Sequence, residues 1–194
     1  MMTETTERAD VGPPPDAQLW DLIAKGDHAA FTELFERHAE AVWNYAYRLT
    51  ASWAQAEDLL SATFLTAWRK RGEAQLVRES ALPWLYTVTA NLARTEWRAS
   101  RRALRLVGRL VPQNEHDHAD EVAARTDAQR RLAAVVAAIA TLPRSEREIA
   151  QLCLLGDVST ADAATLLGIT ESSVRARVSR TRAHLRDLTP EDTR

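Results

Sequence analysis

The most constraining feature of this chain is a pair of adjacent helical patterns near its C-terminal end, the first small and apolar, the second strongly basic. Between them, Gly168 can adopt the left-handed backbone that ends a helix, and Thr170 is a favourable N-cap for the helix that follows. The second pattern has an inward stripe at helical period, formed by Val174, Val178, Thr181 and Leu185. These signals predict a helix-turn-helix.

Arginine side chains lie off this stripe and should face outward. They are Arg175, Arg177, Arg180, Arg182 and Arg186. The second helix of such a motif can enter the major groove of duplex DNA, where arginine binds guanine edges and serine donates to bases or phosphates. The alternative is an ordinary helical hairpin with a solvated basic face, and the motif alone leaves both interpretations open.

Composition favours an all-α fold, because glycine and proline are scarce, 6 and 7 among 194 residues, and no run alternates as a strand would. Residues 1–16 are polar and acidic, contain the run Pro13-Pro14-Pro15 and are predicted to form a disordered tail. They lack the basic start and apolar core of a signal peptide. No apolar run reaches the ~20 residues of a membrane helix. Cys153, as the single cysteine, cannot build a disulfide framework. The predicted location is the cytoplasm, without membrane insertion, and no cofactor is predicted.

Charge is segregated along the chain, although the net charge is only −2. Residues 84–109 contain six arginines against Glu96, and residues 171–186 contain five arginines against Glu171. Residues 115–127, which lie between them, are predominantly acidic. Two basic segments with an acidic connector suggest two separate polyanion-binding bodies. The alternative is that these are the locally biased, solvated faces found on many helical proteins.

Three helical patterns form a first body, residues 17–103. The earliest has inward positions at helical spacing, namely Phe31, Leu34, Phe35, His38, Val42, Tyr45, Ala46 and Leu49. The second, about residues 54–71, leaves Leu65 and Trp68 away from its inward side, so it can present apolar surface to a partner. Its inward side is predicted to carry Leu59, Leu60, Thr63, Phe64 and Ala67. The third begins near Pro83, at an early helical position where the missing N–H costs nothing.

The third helix combines basic and aromatic residues. Its narrow apolar face is opposite a polar one that carries Asn91, Arg94, Arg98, Arg101 and Arg105. Tyr86 and Trp97 flank the polar face. Guanidinium groups beside aromatic rings suit single-stranded nucleic acid, whose phosphates and unstacked bases are both accessible. Packing inside the fold is the alternative for the aromatic residues; it is favoured for Trp84 and remains open for Trp97.

Residues 104–126 lose the helical pattern and become polar and acidic, as expected of a flexible linker. The pair His116 and His118 within it lacks the preorganised geometry of a metal site, so no metal is predicted. A second small helical body, residues 127–189, follows and ends with the helix-turn-helix. Cys153 in this body is interpreted as a small buried hydrophobic residue.

Three segments together resemble the bacterial sigma factor family, and more narrowly its two-domain extracytoplasmic-function (ECF) group. They are residues 56–68 (AEDLLSATFLTAW), residues 84–98 with Trp84-Leu-Tyr and Asn91-Leu-Ala, and residues 142–148 (LPRSERE). The resemblance covers about residues 16–188. It implies a region-two domain at residues 17–103 and a region-four domain at residues 127–189.

The resemblance also implies partners and residue roles. The second helix would bind the β′ clamp of core RNA polymerase, with the β subunit as a further partner, through Glu57, Asp58, Ser61, Thr63, Phe64, Leu65 and Trp68. The third helix would melt the minus-ten promoter element and hold a flipped base at Asn91, through Asn91, Arg94, Trp97, Arg98, Arg101 and Arg102. The helix-turn-helix would read minus-thirty-five duplex DNA through Ser172, Ser173, Arg175, Ala176, Arg177, Ser179 and Arg180. An anti-sigma factor is implied as a regulator.

Two positions depart from the family pattern. Ser61-Ala62 stands where a Gln-Glu pair is usual, which removes one polar contact to the clamp. Thr160-Ala161-Asp162 is smaller than the usual Tyr/Glu-rich start of the helix before the turn.

The predicted function is a sigma factor that directs promoter-specific initiation by core RNA polymerase without catalytic activity of its own. The alternative is a stand-alone helix-turn-helix regulator, which would dimerise across two half-sites, although the sequence offers no obvious dimerisation helix. A helical enzyme finds little support. Glu33, Glu36 and Glu40 lack the histidine companions of a di-iron bundle, and no phosphate-binding glycine loop is present.

Overall fold

The computed structural model describes residues 13–73, 76–107 and 122–188, and within them the side chains of all but residues 98–107, 122–126 and 187–188. These ranges fold into α-helices, which confirms the predicted all-α class. The helices are α1 (Asp16–Ala24), α2 (His28–Thr50), α3 (Trp53–Arg69), α4 (Leu82–Val107), α5 (Val122–Thr141), α6 (Arg144–Ile149), α7 (Thr160–Leu167) and α8 (Glu171–Leu188), with a π-helical segment at Ala150–Leu155 after α6. An isolated bridge between Val77 and Ser80 is the only β pairing within these ranges.

The first domain is a bundle in which α2 packs against α1, α3 and α4. Asp27 caps α2, because its side chain accepts hydrogen bonds from the backbone N–H groups of Ala29 and Ala30. Ser52 caps α3 in the same way, because its side chain accepts a hydrogen bond from the backbone N–H of Gln55. The apolar positions of α2 turn inward as predicted at Leu34, Val42, Tyr45, Ala46 and Leu49. Phe35 is an exception: its predicted inward position is corrected, because it lies at the edge of the stripe and is 38% exposed.

Asp16 ties the start of the first domain to its centre. Its carboxylate accepts hydrogen bonds from the backbone N–H of Ala81, at 2.8 Å, and from Nη1 of Arg37, also at 2.8 Å. Nε2 of His38 lies 2.7 Å from the second carboxylate oxygen. Asp16 is only 6% exposed and is the first residue of α1. The predicted tail, residues 1–16, therefore ends before Asp16, and residues 1–12 lie outside the described residues.

Burial alone would raise the pKa of Asp16. The hydrogen bond from the Ala81 amide, the interaction with His38 and the hydrogen bond from Arg37 outweigh that effect and hold the pKa below its ordinary value. The carboxylate is therefore ionised in the folded protein, and it joins α1, α2 and the loop before α4 at one buried point.

The second domain contains α5 to α8 and the π-helical segment. α5 ends at Thr141 and Pro143 is the N-cap of α6, so the Leu142-Pro143 break lies where the sequence predicts it. Leu142, Ile149 and Leu152 are almost fully buried. Cys153 is only half-buried, at the edge of this core.

Helices extend into both ends of the predicted linker, because α4 continues to Val107 and α5 begins at Val122. The two domains also pack against each other. Tyr45 and Tyr86 of the first domain share one apolar core with Ile149 and Leu152 of the second. The sequence did not predict this contact.

Candidate DNA and polymerase interfaces

α4 is anchored by its inner side, which fixes the direction of its polar face. Leu85 is fully buried, and the hydroxyl groups of Thr89 and Thr63 lie 3.0 Å apart in the core between α4 and α3. Asn91 on the opposite side is exposed. Trp84 packs edge-on against Trp20, and Tyr86 stacks on Tyr45.

The predicted minus-ten residues Asn91, Arg94 and Trp97 come together on one face of α4. Nη2 of Arg94 donates to Oδ1 of Asn91, and Nη1 of Arg94 donates to Glu148 of α6 at 2.8 Å. Trp97 is 36% exposed, and the guanidinium of Arg147 lies 5.5 Å from its ring centre. The predicted residues Arg98, Arg101 and Arg102 lie on the helical backbone of α4, but their side chains are outside the described set.

α7 and α8 form the predicted helix-turn-helix. Gly168 ends α7 in the left-handed conformation, with φ of 64°. Thr170 caps α8 by accepting a hydrogen bond from the backbone N–H of Ser173 at 3.3 Å. Val174, Val178 and Thr181 are buried as predicted. Thr160 donates to Glu171 at 2.8 Å, which joins the start of α7 to that of α8.

The outward face of α8 carries the predicted duplex-reading residues. Ser172, Arg175, Ala176, Ser179 and Arg180 are exposed. Arg175 forms an i,i+4 ion pair with Glu171 at 3.2 Å. Ser173 and Arg177 are half-buried at the edges of this face. A helix with this face outward can place its arginines against base edges and phosphates.

The exposed side of α3 provides the third surface. Glu57, Asp58, Ser61 and Leu65 are exposed, with Leu65 49% exposed, and Trp68 is half-buried. Two predicted polymerase contacts are corrected here, because Thr63 is 0% and Phe64 is 4% exposed. Both lie on the side of α3 that faces the domain core, so neither can reach a partner directly.

Phe35 of α2 is a further exposed aromatic residue beside α3, whereas the sequence placed it inward. Its ring lies 4.8 Å from the ring of Phe64, edge-on, and one side remains exposed. The sequence did contain a signal for this exposure. Leu34 occupies the centre of the inward stripe of α2, so the adjacent Phe35 must lie at the margin of that stripe. The sequence also did not predict the contact of Glu148 with α4, because its partner Arg94 is 54 residues away and no local pattern contains both residues.

Neither a metal site nor a membrane span is found in the described part of the chain. No group of three or more His, Cys, Asp or Glu side chains is arranged to hold a metal ion there. No helix of the described ranges is long and apolar enough to cross a membrane. The pair His116 and His118 lies outside these ranges.

Two family models match the chain. The model for sigma-70 region 2 matches residues 34–103, and the model for sigma-70 region 4 matches residues 132–185. The ECF RNA polymerase sigma factor SigL of Mycobacterium tuberculosis is 36% identical over 160 residues, which cover 80% of this chain and 86% of the relative. The RNA polymerase sigma factor CarQ of Myxococcus xanthus is 33% identical over 164 residues, 84% of this chain and 91% of the relative.

Solved structures support the same fold. CnrH, in complex with the cytosolic domain of CnrY, has a TM-score of 0.64 at 23% identity and covers 92% of this chain and 99% of that one. The sigma factor RpoE, in complex with the anti-sigma factor NepR from Bartonella quintana, has a TM-score of 0.58 at 24% identity. The match covers 84% of this chain and 98% of that chain.

The first domain carries an arginine-bearing helix and the second a helix-turn-helix. Together with these matches they define a sigma factor, the class of protein that directs core RNA polymerase to promoters. More narrowly, the chain belongs to the ECF sigma factor family. Its function is promoter-specific transcription initiation with core RNA polymerase. A stand-alone helix-turn-helix regulator is not favoured, because the first domain also matches a sigma-70 region.

Proposed function

We propose that α4 melts and holds the minus-ten element, that α8 reads the minus-thirty-five duplex, and that the exposed side of α3 binds the clamp of core RNA polymerase. The domains that carry these roles are the predicted residues 17–103, to which Asp16 is added, and residues 127–189. The main supporting observation is that two polar, arginine-bearing faces lie on separate domains while a third helix presents Leu65 to solvent. The clamp surface is Glu57, Asp58, Ser61, Leu65 and Trp68, with Phe35 added and with Thr63 and Phe64 omitted.

We further propose that the protein has no catalytic activity and acts in the cytoplasm, where core polymerase transcribes. An anti-sigma factor is proposed as its regulator, since RpoE, which shares its fold, was solved in complex with the anti-sigma factor NepR. Incubation with core polymerase and a library of promoter fragments should give initiation at specific start sites. Absence of any complex with core polymerase would overturn the proposal.

Asn91→Ala should impair promoter melting but leave binding to core polymerase unchanged. Asn91 is exposed on α4, and extruding a base costs a few kcal/mol that a pocket must offset. We expect permanganate reactivity of the minus-ten thymines in the open complex to fall about tenfold, as for loss of one good contact to a base.

Asn44→Ala is the matched control, because Asn44 is an exposed asparagine on α2 that lies outside the proposed site. It should leave permanganate reactivity unchanged. Equal losses in both variants, or weaker core binding by Asn91→Ala, would contradict the role of Asn91.

Arg180→Ala should weaken upstream-element recognition about tenfold, since truncating an arginine that contacts a base typically costs ~1–3 kcal/mol. Arg180 is exposed on the outward face of α8, so little folding stability should be lost. Footprinting of the holoenzyme measures protection of the minus-thirty-five region. Arg131→Ala, an exposed arginine of α5, is the control and should retain full protection. The assignment of α8 fails if the two variants protect this region equally.

A further inference from the structure

We infer that an aromatic patch on the first domain, formed by Trp43, Tyr47 and Trp53, is a docking surface for an arginine-bearing segment of a partner protein. The patch lies on α2 and at the start of α3, and none of its residues belongs to the surfaces proposed for promoter DNA or the clamp. The inference does not depend on those proposed roles, and promoter recognition does not require it.

The three rings of the aromatic patch contact one another. Those of Trp43 and Tyr47, one helical turn apart on α2, lie parallel with their centres 5.6 Å apart. The ring of Trp53 is tilted against both, with its centre 4.7 Å from that of Trp43 and 5.7 Å from that of Tyr47. Trp53 is 60% exposed, the largest exposed fraction of any large hydrophobic residue in the described ranges. A contiguous aromatic surface of this kind is typical of an interaction site.

The patch is held in place from below. Trp43 and Tyr47 pack on a cluster of buried side chains between α2 and α3, namely Ala46, Ala56 and Leu59. Ser52 caps α3 directly before Trp53, which fixes where that residue stands relative to α2. Rings that are already positioned lose little freedom when a partner binds, so the patch is preorganised for docking.

Carboxylates stand beside the patch on both helices. Glu40 is exposed three residues before Trp43, and Glu57 is exposed four residues after Trp53. Helical spacing places each carboxylate on the same side as its ring. Among the described side chains, no cation forms an ion pair with Glu40 or Glu57. The rim of the patch is therefore negatively charged and complementary to a cation.

A second pair of carboxylates adds to this negative charge. Glu96 lies one helical turn after Leu92 of α4, and Leu92 packs on the same apolar cluster as Trp43. Partial burial and the neighbouring Asp58 both raise the pKa of Glu96. A nearby like charge disfavours ionisation, so this side of the domain would be stabilised by an added cation.

The ring geometry selects among cations. Because the ring centres are only 4.7 to 5.7 Å apart, the rings leave no slot that could enclose a compact ammonium group as an aromatic cage does. A planar guanidinium group can instead stack on the outer face of Trp53 and donate to a carboxylate beside it. A lysine ammonium group is more strongly hydrated and has no planar face. The patch therefore favours arginine.

The same charges argue against two other occupants. A nucleobase can stack on aromatic rings, but its phosphates would meet the carboxylates of Glu40 and Glu57. A second copy of this chain, related by a two-fold axis, would present the same patch to itself. The carboxylates of the two copies would then oppose one another, and such like-charge contacts are costly.

Titration of the full chain with a short peptide tests the inference. The chain has six tryptophans, and isotope labelling of tryptophan gives one indole N–H signal for each by NMR. Substitution of single tryptophans by phenylalanine assigns the signals. A capped hexapeptide of alternating arginine and glycine should shift the signals of Trp43 and Trp53. The signal of Trp20, which is 5% exposed and donates to the backbone of Arg71, should not move. Absence of shifts at Trp43 and Trp53 would exclude the docking surface.

The matched peptide control replaces each arginine by lysine and keeps length and charge. It should bind about fivefold more weakly, because an ammonium group cannot stack on Trp53 and fork onto a carboxylate at once. Equal affinities for the two peptides would mean that the patch attracts any cation, and the inference would fail.

Trp53→Leu keeps an apolar side chain but removes the aromatic face, and should weaken binding of the arginine peptide about fivefold. Trp53→Phe restores an aromatic face and should retain most of the affinity. Trp53 is exposed at the first position of α3, so both variants should fold. Wild-type affinity in Trp53→Leu, or an equal loss in Trp53→Phe, would contradict stacking on this ring.

Glu40→Gln tests the acidic rim and should weaken binding about threefold, the scale of an exposed charge pair. Glu79→Gln is the matched control, with the same change at an exposed site in the turn before α4. Equal affinities in these two variants would exclude a role for the rim.

The other occupants are separate outcomes of the same NMR experiment. Shifts of Trp53 that grow with protein concentration without peptide would indicate a second copy. Larger shifts of Trp53 with a single-stranded oligonucleotide than with the arginine peptide would indicate nucleic acid. Either result would overturn the inference. None of these measurements involves core polymerase, so their failure is distinct from a failure of promoter-specific initiation.

Discussion

Asp16→Asn is expected to lower the free energy of unfolding at neutral pH by about 3 kcal/mol, because removing one partner of a buried charged network leaves the others unsatisfied. The two carboxylate oxygens accept from Arg37 on one side and from Ala81 and His38 on the other. An asparagine must turn its NH2 group toward one of these donor sets. Chemical denaturation of the full chain, followed by circular dichroism, measures the loss.

The same variant should change the pH dependence of stability. The pKa of Asp16 in the folded protein lies below its ordinary value of 3.8. The stabilisation is therefore fully present above the unfolded pKa and is lost as pH falls through the lower, folded pKa. Wild-type protein should lose this contribution on acidification, whereas Asp16→Asn has none to lose. The two stabilities should converge at low pH.

Asp21→Asn is the matched control, because Asp21 is an exposed carboxylate on the same helix. It should change stability by no more than ~0.5 kcal/mol, as is usual for surface substitutions. If Asp16→Asn were as mild as Asp21→Asn, or if its deficit persisted unchanged in acid, the network would not have the role assigned to it.

Leu65→Lys is expected to weaken binding to core RNA polymerase by at least about tenfold, since burying a lysine ammonium group in an interface without a charge partner is costly. Leu65 is 49% exposed although it follows the buried Phe64. A lysine there keeps helix propensity, so the fold should be unaffected. Titration of labelled protein with core polymerase gives the dissociation constant.

Leu22→Lys provides a control of the same chemistry. Leu22 lies on α1 and is 44% exposed, but it is outside the proposed clamp surface. It should leave the affinity for core polymerase unchanged. An unchanged affinity for Leu65→Lys, or an equal loss for both variants, would exclude this side of α3 as the docking surface.

Local sequence signals were sufficient for the helix-turn-helix. Gly168 and Thr170 act on the backbone within a few residues of themselves, so their effect can be recognised without knowing the rest of the fold. The stripe of Val174, Val178 and Thr181 follows from the helical repeat in the same way. The residue roles on α4 and α8 came from the resemblance and stay predictions.

Burial on α3 and at the N-terminus could not be predicted so well. Helical phase placed Thr63 and Phe64 with the inward residues, but the resemblance also assigned them to a partner, and their burial settles that conflict. Asp16 stood at the end of an acidic, proline-containing segment that favours disorder. Its partners Ala81 and His38 are distant in sequence, so no local window contains the reason for its burial.

Periodicity, capping and charge distribution along the chain were enough to predict the all-α class, the helix-turn-helix and the faces that carry arginine, because these properties depend on neighbours within a few turns. They did not predict α1 as a separate helix or the helical ends of the predicted linker. The tertiary structure decided which of those faces are free. Arg94 and Glu148 are 54 residues apart, and only the packing of one domain on the other brings the carboxylate to the arginine. The ion pair of Arg94 and Glu148 forms only because the two domains are packed together. That packing is set by the long-range apolar contacts of Tyr45, Tyr86 and Leu152.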